Sequence, residues 1–281
     1  MMSFLINKCN VVCSKDHCSQ KNIVITGSTQ GIGKEIAKKF LSQGHNVIIT
    51  SSNPSNVYST YRELRKENVY DGKCYPIIAD ISCFEQCSRL LSKSIHLLGE
   101  IDIWINNAGV SYRNELIDLS HTKITKIVQT NLLGTIFCCK VVIPQMLKQK
   151  SGIVINFEGA GSNGFGTPLY SVYGSTKCGI SQFTRSLQKE YSDSNIHLCT
   201  ISPGMVITEL LLKNADDESK KVFNIFCENA EYIADYLVAE IHKIDHNKSI
   251  RYLTLNRIFI LLFMSMFRKN RFFDSVGNRK F

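Results

Sequence analysis

The chain predicts an α/β fold, a doubly wound parallel sheet with helices on both faces, and three observations carry that expectation. Short β-branched runs alternate with stretches of helical periodicity from Asn22 to Ser202. The strand runs are almost continuously apolar, without in/out alternation, as a parallel sheet covered on both faces requires. A glycine-rich turn joins the first strand to the first helix, where an open sheet of this kind takes its ligand.

In order, "NIVIT" (Asn22 to Thr26) is the first strand, and it ends at Gly27. Ile32, Ile36, Ala37, Phe40 and Leu41 then recur at helical spacing until Gly44 stops the helix. "NVIIT" (Asn46 to Thr50) leads to a helix through Leu64, and "CYPIIAD" (Cys74 to Asp80) to one through Leu91 and Leu98. "IDIWINN" (Ile101 to Asn107) precedes a long helical stretch around Asn131. "GIVIN" (Gly152 to Asn156), a helix from about Val172 to Glu190, and "IHLCTIS" (Ile196 to Ser202) complete the alternation. Right-handed crossovers wind these strands into one sheet, with every unusual motif at their carboxyl ends.

The 281 residues, 44% hydrophobic and 20% charged, fit one large domain. There is no linker, repeat or apolar run near the length of a bilayer span, so no transmembrane helix is expected. The eleven cysteines are scattered and odd in number, which fits free thiols in a reducing compartment. Cys9, Cys13, His17 and Cys18 cluster without a zinc-ligand spacing, so no metal is expected. Residues 1–21 lack the apolar core of a secretory signal and read as a flexible leader. The net charge of +9 is concentrated at the other end, where nine Lys/Arg between Ile241 and Phe281 face two Asp. Inside that tail, "IFILLFMSMF" (Ile258 to Phe267) is apolar and lies between Arg257 and the group Arg268, Lys269 and Arg271. Such a segment suits either peripheral contact with a membrane surface or packing back onto the domain. No nucleic-acid module accompanies the basic residues, and no nucleic-acid partner is expected.

"TGSTQGIG" sets Gly27, Gly31 and Gly33 around Ser28, Thr29, Gln30 and Ile32. A tight turn that lets a pyrophosphate reach a helix N-terminus needs such glycines, and the context is that of a Rossmann-type nucleotide site. After the second strand come Thr50, Ser51, Ser52 and Asn53, with no carboxylate to hold a ribose 2′-hydroxyl. NADPH is therefore expected, with NADH left open because no arginine is present either. Asp80, followed by Ile81, either accepts from an adenine amino group or caps the next helix. In "NNAG", Asn107, Ala108 and Gly109 let backbone approach the adenosine ribose.

"YGSTK" places Tyr173 and Lys177 at i and i+4 on one helical face. A carbonyl that receives hydride becomes an alkoxide and needs a proton donor within hydrogen-bond reach. A phenol with an ammonium one turn away serves that need, because the positive charge favours the phenolate.

"TGSTQGIG", "NNAG", Asn131, "YGSTK" and "SPGMVITEL" stand in the order of the classical short-chain dehydrogenase/reductases, which this chain resembles from about residue 22 to 210. The resemblance implies that Tyr173 is the general acid/base and that Lys177 holds the nicotinamide ribose. It also implies that Asn131 kinks its helix and seats a relay water, and that Pro203, Gly204, Val206 and Thr208 line the carboxamide side of the nicotinamide. Where the family has a serine thirteen residues before the tyrosine, this chain has Ala160; the nearest hydroxyl is Ser162, assigned here as its replacement, with backbone N–H groups of the glycine run as the alternative.

"FEGAGSNGFGTPLYSVYGSTKCGISQF", "SPGMVITELLL" and the tail segments "YLTLNRI" and "RFFD" are similar to the chlorophyll b reductases of plants and algae. Glu158 and Ser52 depart from that pattern, which has aspartate and arginine there. This likeness implies reduction of the 7-formyl group of chlorophyll b or chlorophyllide b in a plastid, at the thylakoid surface, by a homo-oligomer. The same fold could act in the cytoplasm on another apolar aldehyde or ketone, or serve as a nucleotide-binding partner with little catalysis. The expected organisation is a leader over 1–21, the reductase domain over 22–256 and a basic, apolar tail over 257–281. Leu210 to Leu212 and Phe223 to Phe226 are expected either as a lid on an apolar mouth or as core.

Overall fold

The computed structural model describes residues 19–67, 72–213, 215–267, 270–274 and 279. The first half of the fold runs β1 (Asn22–Ile25), α1 (Gly31–Ser42), β2 (Asn46–Ser51), α2 (Pro54–Glu67), β3 (Cys74–Ile78), α3 (Phe84–Leu98) and β4 (Ile103–Asn106). The second half runs α4 (His121–Ile127), α5 (Gly134–Gln149), β5 (Gly152–Phe157), α6 (Ser171–Glu190) and β6 (Ile196–Ser202). Beyond it lie β7 (Met205–Ile207), α7 (Glu209–Leu212), α8 (Asp217–Phe226), β8 (Cys227–Asn229), α9 (Ala230–Ile241), β9 (Ser249–Arg251) and α10 (Leu255–Ser265). Seven strands form one parallel sheet in the order β3-β2-β1-β4-β5-β6-β9, and β7 pairs with β8 in a small second sheet. The order reverses between β1 and β4, which opens a crevice at their carboxyl ends.

The apolar strands are explained by two cores. Ile23 and Ile25 of β1 pack with Phe40, Leu41, Leu237 and Val238 on the α1/α9 face. Val24, between them, packs with Trp104, Leu90, Val142 and Met146 on the α3/α5 face. Successive residues thus point to opposite buried sides, and neither side tolerates a polar alternate. Trp104 is fully buried, and its indole N–H donates to Asn106 Oδ1 at 2.8 Å, so this ring fills core with its one polar atom satisfied.

Sequence periodicity missed β9, a three-residue edge strand reading Ser-Ile-Arg, because one inward isoleucine makes no apolar run. The helix around Asn131 is interrupted: α4 passes into a π-helical turn over Val128–Leu133 before α5 resumes. His121–Gln149 is by length and composition apolar enough to cross a membrane. Its apolar side chains Ile127, Cys138, Val142, Ile143 and Met146 are nevertheless buried in the protein.

The segment after β6 closes its own small core of Ile207, Phe223, Cys227, Phe272 and Phe273. Of the residues expected at a mouth, Phe223 is buried there, whereas Leu210 is exposed. The two phenylalanines of "RFFD" are tied down by their N–H groups, which donate to Asn224 Oδ1 at 2.8 and 3.0 Å. α10 begins at Leu255, so the expected boundary between residues 256 and 257 falls within its first turn. Eight described cysteines are free thiols. Cys9, Cys13, His17 and Cys18 lie outside the described residues.

Candidate active site

A cleft of about 880 Å³ opens at the carboxyl ends of β1 to β4. Gly27, Thr29, Gln30, Gly31, Ile32 and Gly33 line it from the first turn. Gly27 has φ +63°, and a Cβ there would meet Ala108 Cα at 2.7 Å, so the turn is closed to any side chain. Gln30 precedes α1 without a side-chain cap, and the first turn of that helix carries no acidic residue. Its N–H groups and dipole are therefore available to an anion. Ser28 is fully buried and does not line the cleft; its hydroxyl donates to Ile25 O at 2.6 Å and accepts from Thr50 N–H at 2.9 Å. It fastens the turn to β2.

Ser51, Ser52, Asn53 and Asn56 line the far end of the cleft with no carboxylate among them. Asp80 and Ile81 form its wall. Asp80 Oδ1 accepts from both the N–H and the hydroxyl of Ser82, at 3.0 and 2.7 Å, so one carboxylate oxygen serves the turn into α3. Asn107, Ala108 and Gly109 face the cleft from β4. The Asn107 amide donates to Thr26 O and Gly27 O, both at 2.9 Å, clamping the glycine turn from the neighbouring strand. Thr26, which no motif marks as a site residue, accepts through its buried hydroxyl from the N–H groups of Asn107 and Ala108, both at 3.1 Å. His121, Thr125 and Lys126 of α4 also reach the cleft, placed there by a fold contact that no local motif signals. These residues fit a dinucleotide: an uncapped helix N-terminus, a closed glycine turn and a hydroxyl- and amide-lined far pocket.

Tyr173 and Lys177 share a face of α6 as their spacing required, with the ammonium 5.8 Å from the centre of the phenol ring. Gly159, just beyond β5, makes room for the phenol: a Cβ there would lie 2.4 Å from Tyr173 Oη. Lys177 is buried and donates to Phe157 O at 2.8 Å. Burial lowers the Lys177 pKa to about 8, opposed by the charge of Glu158. Burial raises the Tyr173 phenol to about 12, with Tyr170 adding to the rise. The lowering expected from the lysine is not seen: removing the phenol from water disfavours the phenolate and sets the direction.

Behind the pair lies Glu158, buried, its Oε1 accepting from Ser181 at 2.9 Å and its Oε2 3.4 Å from the Arg251 guanidinium. Ser162 is buried against Gly159, donating to Gly159 O at 2.6 Å and accepting from Gly159 N–H at 2.8 Å. Ala160 is exposed. Asn131 is fully buried in the π-helical turn, where Oδ1 accepts from Val110 N–H at 2.8 Å and Nδ2 donates to Val110 O at 2.9 Å. Nδ2 also reaches Thr176 Oγ1 at 3.3 Å, linking the loop after β4 to α6. Thr208 stands against the glycine turn, 3.2 Å from where a Gly31 Cβ would be, and lines the cleft. Pro203, Gly204 and Val206 do not line it; Val206 is buried in the α1/α9 core. Among the described residues no cluster of His, Cys, Asp and Glu could hold a metal ion.

Comparison with known proteins identifies the family. The family description short chain dehydrogenase fits residues 21–219. A protein of Arabidopsis thaliana named as a probable chloroplastic chlorophyll(ide) b reductase is 40% identical over 94% of this chain and 57% of its own length. The chain thus spans little more than half of that relative. A chloroplastic chlorophyll(ide) b reductase of Oryza sativa subsp. japonica is 38% identical over 82% of this chain and 69% of its own. In fold, an alcohol dehydrogenase from the archaeon Thermococcus sibiricus, solved with 5-hydroxy-NADP, superposes with a TM-score of 0.71 at 20% identity, over 84% of this chain and 97% of that one. Sheet order, glycine turn, the Tyr173/Lys177 face and the family match together place this chain in the short chain dehydrogenase family of oxidoreductases.

Proposed function

We propose that the protein is an NADPH-dependent reductase of the 7-formyl group of chlorophyll b or chlorophyllide b, with Tyr173 as the proton donor. The observation that carries this reading is the meeting of Tyr173 and Lys177 over Gly159 and Phe157 at the end of β5, on a helix that Asn131 ties to cleft-lining Val110. Two relatives that bear the name chlorophyll(ide) b reductase support the substrate, and their description as chloroplastic supports a plastid location; the thylakoid surface is where such a pigment substrate would be met. Exposed Phe165 and Leu210 offer apolar surface for a macrocycle.

NADPH, when bound, supplies the hydride. The N-terminus of α1 would hold its pyrophosphate, Ser51, Ser52, Asn53 and Asn56 the 2′-phosphate, Asp80 and Asn107 to Gly109 the adenosine, Lys177 the nicotinamide ribose, and Thr208 the carboxamide. Tyr173 reaches the reaction fully protonated, since burial holds its proton far above neutral pH. As the carbonyl carbon gains hydride, the oxygen takes the phenolic proton and the product is an alcohol. The Lys177 ammonium, still charged at pH 7, stabilises the phenolate left behind. Ser162 acts as a positioning residue by fixing Gly159 beneath the phenol, and Asn131 by holding Val110 to α6.

Purified protein with NADPH and chlorophyll b should yield 7-hydroxymethyl chlorophyll a, and KM for NADPH should lie below that for NADH. Unchanged pigment alongside turnover of simple apolar aldehydes would redirect the reading to another carbonyl. The commitment of the Ser162 hydroxyl to Gly159 favours one second reading, a nucleotide-binding partner with little catalysis; NADPH binding without turnover of any carbonyl would establish it.

A further inference from the structure

Helix α10 holds out an apolar face that no described residue covers. Leu255, Phe259, Ile260, Phe263, Met266 and Phe267 are exposed, Leu255, Phe259 and Phe267 by 75, 69 and 72%. At helical spacing these six fall within an arc of about 140°. The opposite side carries Arg257, Ile258, Leu261 and Met264, which are partly buried, and α10 rests on α8. Arg257 anchors the helix: its guanidinium lies 4.0 Å from the Tyr252 ring centre and 5.1 Å from that of Tyr236. Thr254 caps the first turn by accepting from Arg257 N–H at 3.3 Å. One face is thus seated and the other presented, the reverse of a surface helix with its polar side out.

Charge identifies the occupant. From His246 to Phe273 there are six Lys/Arg and no Asp or Glu. Arg251 and Arg271 pair with Glu158 and Glu228 and Arg257 lies on the seated side, which leaves Lys248 and, directly after the helix in the sequence, Arg268 and Lys269. An apolar arc inside an acid-free basic segment complements an anionic bilayer, where phenylalanines enter the acyl boundary and cations meet the headgroups. Eleven residues extend about 16 Å against a hydrocarbon core of about 30 Å, so the helix lies flat.

We propose that α10 docks the protein onto anionic lipid surfaces through the face of Leu255, Phe259, Phe263 and Met266. Docking orients the site. α10 rests on α8, whose capping residue Asp216 is paired with Arg113 of the loop after β4 at 2.7 Å, so α10 is tied through α8 to the loop that follows a cleft-lining strand. Only this orientation toward a lipid-borne pigment rests on the function proposed above; the docking itself does not.

The test uses the full chain and vesicles of phosphatidylcholine, alone or mixed with phosphatidylglycerol. Cosedimentation should be roughly tenfold stronger with the mixed vesicles and weaken at high salt. Phe259→Ser with Phe263→Ser should lose roughly tenfold or more of that binding, with turnover of a water-soluble aldehyde unchanged. Phe259→Trp, which keeps the face apolar, should show blue-shifted emission on mixed vesicles over the constant signal of buried Trp104. No binding to anionic vesicles, or an emission from the Phe259→Trp protein that the vesicles leave unmoved, overturns the proposal. So does a dimer that the double serine variant dissociates, since a second copy would then own the face. Docking without pigment reduction would refute the function and leave the docking intact.

Discussion

Lys177 Nζ donates to the carbonyl oxygen of Phe157 at 2.8 Å, the residue immediately before Glu158. The ammonium is thereby held at the end of β5, with one N–H used by the protein and Tyr173 on the same helical face. Buried Lys177 and buried Glu158 are electrostatic partners, which ties the pH response of the pair to a carboxylate behind it.

Glu158→Gln should move the alkaline limb of the activity profile to lower pH. Lys177 loses its proton near pH 8 in the native protein, and the Glu158 charge is what raises that value against burial. Without the carboxylate, the ammonium is lost earlier and the phenolate is less stabilised. Plots of kcat against pH for the native protein and for the Glu158→Gln and Glu158→Asp variants measure the displacement. Coincident limbs for the native and glutamine proteins would remove Glu158 from the account.

Replacing Tyr173 with Phe should lower kcat by about 10²- to 10⁴-fold, the usual contribution of a positioned acid. The ring still fills its space over Gly159, so nucleotide affinity, followed by NADPH fluorescence, should remain. Surviving turnover would mean that another group delivers the proton.

Gly159→Ala tests the room beneath the phenol. Its Cβ would stand 2.4 Å from Tyr173 Oη, so either the hydroxyl or the strand end must shift. A displacement on the order of an ångström at the reacting atoms costs about 10²-fold in rate. The expected result is a large fall in kcat with the thermal transition nearly unchanged.

For Ser162→Ala a smaller loss is expected. Its hydroxyl is spent on the Gly159 backbone at 2.6 and 2.8 Å, so its removal costs about one hydrogen bond, roughly 0.5–1.5 kcal/mol or about 2- to 10-fold in kcat. A drop of about 10²-fold or more would instead match a direct donor to the developing oxyanion.

Stability should fall in mild acid through His45. Burial, then the neighbouring His242, lowers its pKa from 6.5 to about 4, and its Nδ1 accepts from Lys21 N–H at 3.1 Å, which requires the neutral ring. A depressed folded-state pKa gives a stabilisation that is full above pH 6.5 and is lost as pH falls toward 4. The difference amounts to about 3 kcal/mol at most. Urea midpoints measured between about pH 7.5 and about pH 4.5 should show the decline, and His45→Asn should flatten it.

The order of strands and helices was legible because burial on both sheet faces writes itself as apolar runs. Local motifs marked the first turn, Asn107 to Gly109, and the Tyr173/Lys177 face, since each depends on spacing within one element. Distance in the chain hid the rest. β9 carries a single buried isoleucine, Lys126 enters the cleft from a helix far from the glycine turn, and Arg251 meets Glu158 from a distant edge strand. Sequence alone determined which groups could carry a proton and a nucleotide. Packing decided their electrostatics, because the dehydration that raises Tyr173 and lowers Lys177 depends on neighbours brought together only by the folded sheet. Packing also decided that one side of the apolar tail helix is seated on the protein and the other left bare, since periodicity names the two faces but not what covers them.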